Sequence, residues 1–101
     1  MKATEKLISK KVIIRAYGAG VFYGTLNEVD GDTVELTHAR RLWFWDGAAS
    51  LSQLAAEGVK APERCKFTVE VDQIVISKVM EIIPATDEAQ KSIEAVKVWR
   101  R

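Results

Sequence analysis

A cluster of aromatic and basic residues stands near the middle of the chain, in the stretch RRLWFW that begins at Arg40. Tryptophan rings stack on nucleotide bases for about 1 to 3 kcal/mol per base, and arginine guanidinium groups hold phosphate through paired hydrogen bonds. This combination of residue types is typical of a site for a compact nucleotide. We therefore predict that Trp43 and Trp45 stack on the ligand and that Arg40 or Arg41 meets its phosphate.

The start of a predicted helix follows these residues closely, in the order Gly47, Ala48, Ala49, Ser50. Small residues, free backbone amides and a hydroxyl lie together there, and helix N-termini favour anions. We predict that Ser50 and Gln53 read the edges of the ligand. The alternative is that Ser50 only caps the helix and that the helix start binds nothing but water.

The exposure of the tryptophans depends on the register of the strand that precedes the helix. Residues 33–45 begin with a clean alternation of apolar and polar side chains, and alternate side chains of a strand point to opposite faces. An outward aromatic patch marks a ligand site or an oligomer interface, and the two can coincide. The alternative is a bulge near Ala39, which shifts the register and lets the helix cover both tryptophans. Without a bulge, the inward face carries Val34, Leu36, His38, Leu42 and Phe44, and the outward face carries Glu35, Thr37, Arg41, Trp43 and Trp45.

The other reactive residue types do not form a catalytic constellation. His38 is the only histidine and Cys65 the only cysteine, which argues against histidine metal clusters, multi-cysteine zinc sites and internal disulfides. We predict that His38 is a hydrogen-bonded structural residue and that Cys65 is a small buried hydrophobe rather than a reactive thiol. The sequence places no base near Ser50 or Ser52. We therefore expect no enzyme activity, no cofactor and no metal ion.

Turn residues and apolar periodicity divide the chain into short elements. Gly24 interrupts the second predicted strand and predicts a bulge or a sharp bend there. The pattern favours a single mainly β (α+β) domain over residues 1–101, a small antiparallel SH3-like or Sm-like barrel of about five strands with one inserted helix and a short C-terminal helix. The predicted strands cover residues 11–17, 21–29, 33–45, 65–71 and 73–83, and the predicted helices cover residues 47–57 and 86–95.

Charge is nearly balanced, with 15 basic residues against 14 acidic ones and a net charge of +1. A protein that neutralises many phosphates carries a clear basic excess or stripe, so we expect no long nucleic acid as a partner. No apolar run has the length of a membrane span, and residues 1–11 contain no signal peptide, so we expect no membrane partner and a cytoplasmic location. Four acidic residues cluster around the second hairpin, which indicates turn chemistry and solvation: Glu28, Asp30, Asp32 and Glu35.

The stretch from Arg41 to Ala55, RLWFWDGAASLSQLA, resembles a family of small, largely uncharacterised proteins encoded by bacteriophages and prophages. In that family an Arg-x-Trp-x-Trp core leads into a Gly-Ala-Ala-Ser-Leu helix, followed by a Cys-Lys-Phe strand and a Ser-Ile-Glu-x-Val-x-Val-Trp tail. The later pieces match here at residues 65–67 and 92–99. The likeness runs from about Val12 to Trp99.

The resemblance implies a setting rather than an activity. Small phage accessory proteins often inhibit host defence, either by binding a host protein or by sequestering a signalling nucleotide in the host cytoplasm. Sequestering proteins are commonly homo-oligomers with sites between subunits. The resemblance and the aromatic cluster together favour an oligomeric sponge for a cyclic di- or trinucleotide or an ADP-ribose derivative. The alternatives are a protein-binding, anti-CRISPR-like inhibitor of a host defence system and an Sm-like RNA-binding oligomer.

Overall fold

Two central strands, β1 (Lys11–Ala16) and β2 (Gly20–Asp30), pair antiparallel in the computed structural model, which describes residues 3–101. The residues before that range belong to the N-terminal stretch in which we expect no signal peptide, and they lie outside the described part. Gly18 and Gly20 join the two strands with φ values of 79° and 105°. Glycine adopts such angles without steric cost. The break between the strands predicted over residues 11–17 and 21–29 is confirmed as a turn.

The other elements complete one six-stranded antiparallel sheet with two helices. They are β3 (Thr33–Phe44), α1 (Leu51–Glu57), β4 (Lys66–Phe67), β5 (Val71–Ile76), β6 (Val79–Pro84) and α2 (Asp87–Glu94), with 3-10 turns at Ala3–Leu7 and Pro62–Arg64. The sheet order is β6-β1-β2-β3, and both β4 and β5 pair with β3. The fold is mainly β and barrel-like, as predicted. It has six strands rather than about five because the single strand predicted over residues 73–83 is divided at Ser77 and Lys78 into β5 and β6. The strand predicted over residues 65–71 is reduced to Lys66–Phe67.

Each helix begins at a hydroxyl that accepts a hydrogen bond from the first helical turn. Ser50 accepts from the main-chain nitrogen of Gln53 at the start of α1, and Thr86 accepts from that of Ala89 at the start of α2. Such caps satisfy amides that a helix leaves without partners, so α1 begins after Ser50 and not at residue 47. Within residues 3–101, no helix combines the length and the apolar composition that crossing a membrane requires.

Apolar side chains cover both faces of the sheet. One face curves around an inner core that includes Val12, Ile14 and Leu36. The other face packs against the two helices in a helix-side core that includes Leu42 and Cys65. The burial predicted for Cys65 is confirmed. β1 buries consecutive residues because neighbouring side chains of a strand point to opposite faces, and here both faces are covered.

A bulge in β3 opposite Gly24 changes the face to which the later side chains point. Across this bulge β3 contains one residue more than β2, and the additional residue is His38, with a φ of 51°. A Cβ atom on Gly24 would lie 3.1 Å from the Cα atom of Ala39, so the two strands approach closely where β2 has no side chain. The irregularity predicted at Gly24 is confirmed, with its additional residue on the neighbouring strand.

The bulge makes the prediction of an unbroken alternation along β3 wrong. Leu36 lies before the bulge in the inner core, whereas Leu42 lies after it in the helix-side core. His38, predicted to point inward, is exposed. A second irregularity falls between Leu42 and Phe44, and Phe44 is 49% exposed instead of buried. One additional residue exchanges the two faces because the side-chain period of a strand is two.

Leu36→Ala is expected to lower the free energy of unfolding by about 2 to 5 kcal/mol, because Leu36 is fully buried and its truncation leaves a cavity in the inner core. Met80→Ala, at an exposed position on β6, is the matched control and should change this free energy by less than about 0.5 kcal/mol. Urea denaturation measures both values. A loss below about 1 kcal/mol for Leu36→Ala would contradict the placement of the inner core.

Candidate ligand-binding surface

Arg40 points into the protein and is 6% exposed. Its Cζ atom lies 5.5 Å from the ring centroid of Phe67. Nε donates to the carbonyl of Thr68 at 3.0 Å, and Nη2 donates to that of Phe67 at 3.2 Å. Nη1 donates to the carbonyl of Ile93, near the end of α2, at 3.0 Å. All three nitrogens are therefore engaged within the protein, and this one side chain connects β3, β4 and α2.

Ser50 and Gln53 are engaged at the start of α1. The main-chain nitrogen of Gln53 donates to Ser50 Oγ at 3.1 Å, and the main-chain nitrogen of Ala49 donates to Gln53 Oε1 at 2.8 Å. The arrangement differs from a capping box in one partner, because Gln53 accepts from the residue before the cap instead of from Ser50 itself. These hydrogen bonds stabilise the start of α1, which explains the positions of both side chains without a ligand. That Ser50 and Gln53 contact a ligand stays a prediction.

The two tryptophans of the central cluster differ in exposure. Trp43 lies at the second irregularity of β3 and is 64% exposed. Trp45 is half-buried and packs against the helix-side core, as does Leu51 of α1. The predicted outward position is confirmed for Trp43. For Trp45 it is wrong, because the bulges of β3 turn this ring toward the helices.

Further side chains extend the exposed surface around Trp43. Phe44 pairs with Lys66 of β4. Lys66 Nζ lies 5.4 Å from the ring centroid of Trp99, and the main-chain nitrogen of Trp99 donates to the carbonyl of Phe67 at 2.9 Å. The C-terminal segment therefore adds an aromatic ring to the edge of β4. No local pattern indicates that Lys66 and Trp99 are neighbours, because their proximity depends on a contact between distant parts of the chain.

Arg41, two residues before Trp43 on β3, supplies a second exposed cation in addition to Lys66 of β4. Its side chain is exposed, and its Cζ atom lies 4.8 Å from the ring centroid of Phe22. The main chain of Arg41 is fixed by two hydrogen bonds to Thr68, of 3.0 Å and 3.1 Å. A cavity of about 280 Å³ opens beside Arg41 and is also lined by Phe22 and Val69. We define the cationic aromatic surface as Arg41, Trp43, Phe44, Lys66 and Trp99.

A second group of polar residues lines a pocket of about 320 Å³ beside the end of α2. Glu94 Oε2 accepts hydrogen bonds from the Tyr23 hydroxyl at 2.5 Å and from Lys11 Nζ at 2.7 Å. His38 Nδ1 lies 3.2 Å from Glu70 Oε2. These residues are far apart along the chain, so their spacing could not have indicated that they meet.

The polar pocket keeps its phenol and its carboxyl in their ordinary protonation states. Burial and the adjacent Glu94 carboxylate raise the pKa of Tyr23, which holds the hydroxyl protonated. Burial alone would raise the pKa of Glu94, but hydrogen bonds from Lys11 and Tyr23 outweigh it and hold that pKa below its ordinary value. Neither group is poised to exchange a proton near neutral pH, so the contact serves to fasten α2 to β1 and β2.

Comparison with known proteins identifies the family of the chain but does not identify an activity. A family model described as a domain of unknown function, DUF6948, matches residues 9–93, a range that includes all six strands and α1. No curated protein that was compared matches the chain. The sequence resembles a largely uncharacterised family, and a domain of unknown function agrees with that resemblance.

Arg40→Lys is expected to lower the free energy of unfolding by about 2 to 4 kcal/mol, because one ammonium group cannot reach the carbonyls of both β4 and α2. Arg41→Lys at the exposed neighbouring position is the matched control and should cost less than about 1 kcal/mol. Chemical denaturation of the two variants measures both costs. Equal costs for the two variants would contradict the connecting role of Arg40.

The Glu94 carboxylate is expected to raise the free energy of unfolding, and this contribution is expected to be lost at acidic pH. Its folded pKa lies below the ordinary value of 4.5, so the contribution is present above pH 4.5 and is lost as the pH falls through the folded pKa. Glu94→Gln lacks this contribution. Between about pH 5 and about pH 3, the urea midpoint of the variant should therefore fall less than that of the wild type. Parallel midpoint curves would show that the contact with Tyr23 and Lys11 is not maintained in solution.

Proposed function

We propose that this chain, which belongs to the DUF6948 family of domains of unknown function, is a non-enzymatic binding protein that takes up a nucleotide on its cationic aromatic surface. The observation that carries the proposal is the 64% exposure of Trp43, which lies on β3 two residues after the exposed Arg41 and directly before Phe44, the cross-strand partner of Lys66. An indole ring left in water among exposed aromatic neighbours is typical of a surface that a partner covers.

The residue types of this surface fit a nucleotide better than a purely apolar ligand. Trp43 offers a ring face for a base, and stacking of this kind is worth about 1 to 3 kcal/mol per base. Arg41 and Lys66 are cations that can meet phosphate, and Arg41 has the planar fork that binds it in a bidentate manner. Lys97, Arg100 and Arg101 are exposed on either side of Trp99 and add positive charge nearby.

The proposed site is smaller than the one predicted from the sequence. Arg40, Ser50 and Gln53 are left out because their polar groups already have partners within the protein. Trp45 supports the site from the helix-side core. Arg41 and Trp43 remain from the prediction, and Phe44, Lys66 and Trp99 are added.

The resemblance to phage accessory proteins extends the proposal to a biological role. In that role the protein is a sponge in the host cytoplasm, homo-oligomeric while no nucleotide is bound, that sequesters a cyclic di- or trinucleotide or an ADP-ribose derivative and so counters host defence. The near-neutral charge agrees with a compact ligand, because it leaves few cations for a long nucleic acid.

A protein partner is the second candidate, and the openness of the surface favours it. Trp43 and Phe44 are neighbours at a strand end and both are strongly exposed, whereas small-molecule sites are usually concave. Tryptophan and arginine are also the residue types most enriched among the energetic anchors of protein interfaces. In this case the chain inhibits a host defence protein by docking on it.

A thermal-shift screen against cyclic di- and trinucleotides and ADP-ribose tests the proposal. A nucleotide present at a hundred times its dissociation constant should stabilise the fold by about 2.7 kcal/mol. The nucleotide should be recovered chemically intact after heat denaturation, because binding without catalysis leaves it unchanged. Recovery of a cleaved nucleotide would contradict a sponge, and no shift with any of them would leave the protein partner as the remaining candidate.

Two matched variants locate the site by isothermal titration calorimetry with the nucleotide that shifts the melting temperature. Trp43→Ala is expected to weaken binding by about 5- to 150-fold, the equivalent of one stacked base, while Trp43→Phe retains most of the affinity. Met80→Ala lies on β6 beside Val34 at the start of β3, whereas Trp43 lies near the end of β3, so this variant should bind as the wild type does. Unchanged binding by Trp43→Ala would place the nucleotide elsewhere.

A further inference from the structure

Three carboxylates gather on the outward face of the sheet near the start of β3. Glu28 and Glu35 are direct cross-strand partners of β2 and β3, and Asp30 lies beside them on the same cavity. Like charges placed directly opposite each other destabilise a sheet. Within residues 3–101, none of the three takes part in a salt bridge. This part of the sheet therefore carries uncompensated negative charge.

An exposed apolar side chain accompanies these carboxylates. Val75 of β5 is paired with Glu35 and is 61% exposed. The Glu35 carboxylate is held in place by hydrogen bonds from the side-chain amides of Asn27 and Gln73. A cavity of about 220 Å³ lies between Val75 and the acidic side chains. We define the acidic face as Glu28, Asp30, Glu35 and Val75.

The acidic face and the cationic aromatic surface are complementary in charge, and each also exposes apolar side chains. The first lies where β3 begins, and the second lies where this strand of 12 residues ends. We propose that the cationic aromatic surface of one copy docks on the acidic face of a second copy when no nucleotide occupies it. This inference rests on the proposed function, because the nucleotide and the second copy compete for one surface.

The position of the two surfaces decides the kind of assembly. The two surfaces are formed by different parts of the chain, so the contact joins unlike surfaces. In each pair of copies, one cationic aromatic surface and one acidic face therefore remain unoccupied. Contacts of this type build rings when the rotation closes and open chains when it does not. The ionic part of the contact is exposed at its rim, so salt should weaken the association.

Sedimentation velocity of the full chain measures the association directly. At low salt the mass should exceed the monomer mass of 11.3 kDa by roughly twofold or more, and it should return toward the monomer as salt or a bound cyclic dinucleotide is added. A monomer at every salt concentration would overturn the inference. An assembly that binds the nucleotide without dissociating would also overturn it, because the two would then not share a surface.

Two charge reversals test the pairing of the surfaces. Glu28→Lys removes the repulsion with Glu35 and should leave the melting temperature unchanged or raised, so a loss of assembly cannot be attributed to unfolding. Lys66→Glu reverses a cation on the opposite surface. Each variant alone should be monomeric. An equimolar mixture should form a heterodimer, because each variant retains the surface that the other lacks.

The same variants separate the two proposals. Glu28→Lys keeps the cationic aromatic surface intact, so this monomer should bind the cyclic dinucleotide at least as tightly as the wild type. Nucleotide binding without self-association in the wild type would overturn only the docking of a second copy. Suppose that the mixed variants restore self-association but no nucleotide binds. The proposed function and the competition would then be overturned, while the contact between copies would stand. No heterodimer in the mixture would overturn the contact itself.

Discussion

The buried guanidinium of Arg40 is the interaction on which the arrangement of the chain depends. It donates to main-chain carbonyls of Phe67 and Thr68 beside β4 and of Ile93 in α2, elements that make few hydrogen bonds of their own to β3. Buried carbonyls need donors, and here one side chain from the centre of the sheet supplies them to two separate segments. The bulge at His38 makes this possible, because it turns Arg40 toward the helices and leaves its neighbour Arg41 on the opposite face beside Phe22.

The cationic aromatic surface follows from the same geometry. Once Arg40 and Leu42 face the helix-side core, the second irregularity of β3 leaves Trp43 and Phe44 on the solvent side and returns Trp45 to the core. The tail then reaches the free edge of β4 and places Trp99 against Lys66. The exposed rings of Trp43 and Phe44 are therefore a product of how the strand is bent, and they lie on a hydrogen-bonded strand, which is a more rigid support than a loop. A rigid position of this kind reduces the entropy lost when a ligand is bound.

Local patterns in the sequence were sufficient for most of the fold. Glycine turns, strand alternation and helix caps placed the first three strands and both helices within a few residues, and Leu36 is in the core as its pattern indicates. The strands predicted over residues 65–71 and 73–83 were placed less well, because the first is reduced to two residues and the second is divided at Ser77 and Lys78. The register after His38 was left open between an unbroken strand and a bulge near Ala39, because one additional residue exchanges the faces of the side chains that follow it and the alternation of the sequence does not decide between the two. Of the candidate site, the Ser-x-x-Gln spacing of Ser50 and Gln53 was a local sign that both side chains serve the start of α1. The burial of Arg40 and the approach of Trp99 to Lys66 depend on contacts between distant segments, which no local pattern encodes.

The central claim is that Trp43, rather than its neighbour Trp45, meets the ligand. Nuclear magnetic resonance of the three tryptophan indole N–H groups during titration with a cyclic dinucleotide tests this claim most directly. The account predicts that the signals of Trp43 and Trp99 shift together in a saturable way, while the signal of Trp45, which packs against the helix-side core, stays in place. A saturable shift of Trp45 alone, or no shift of any indole signal, would contradict it.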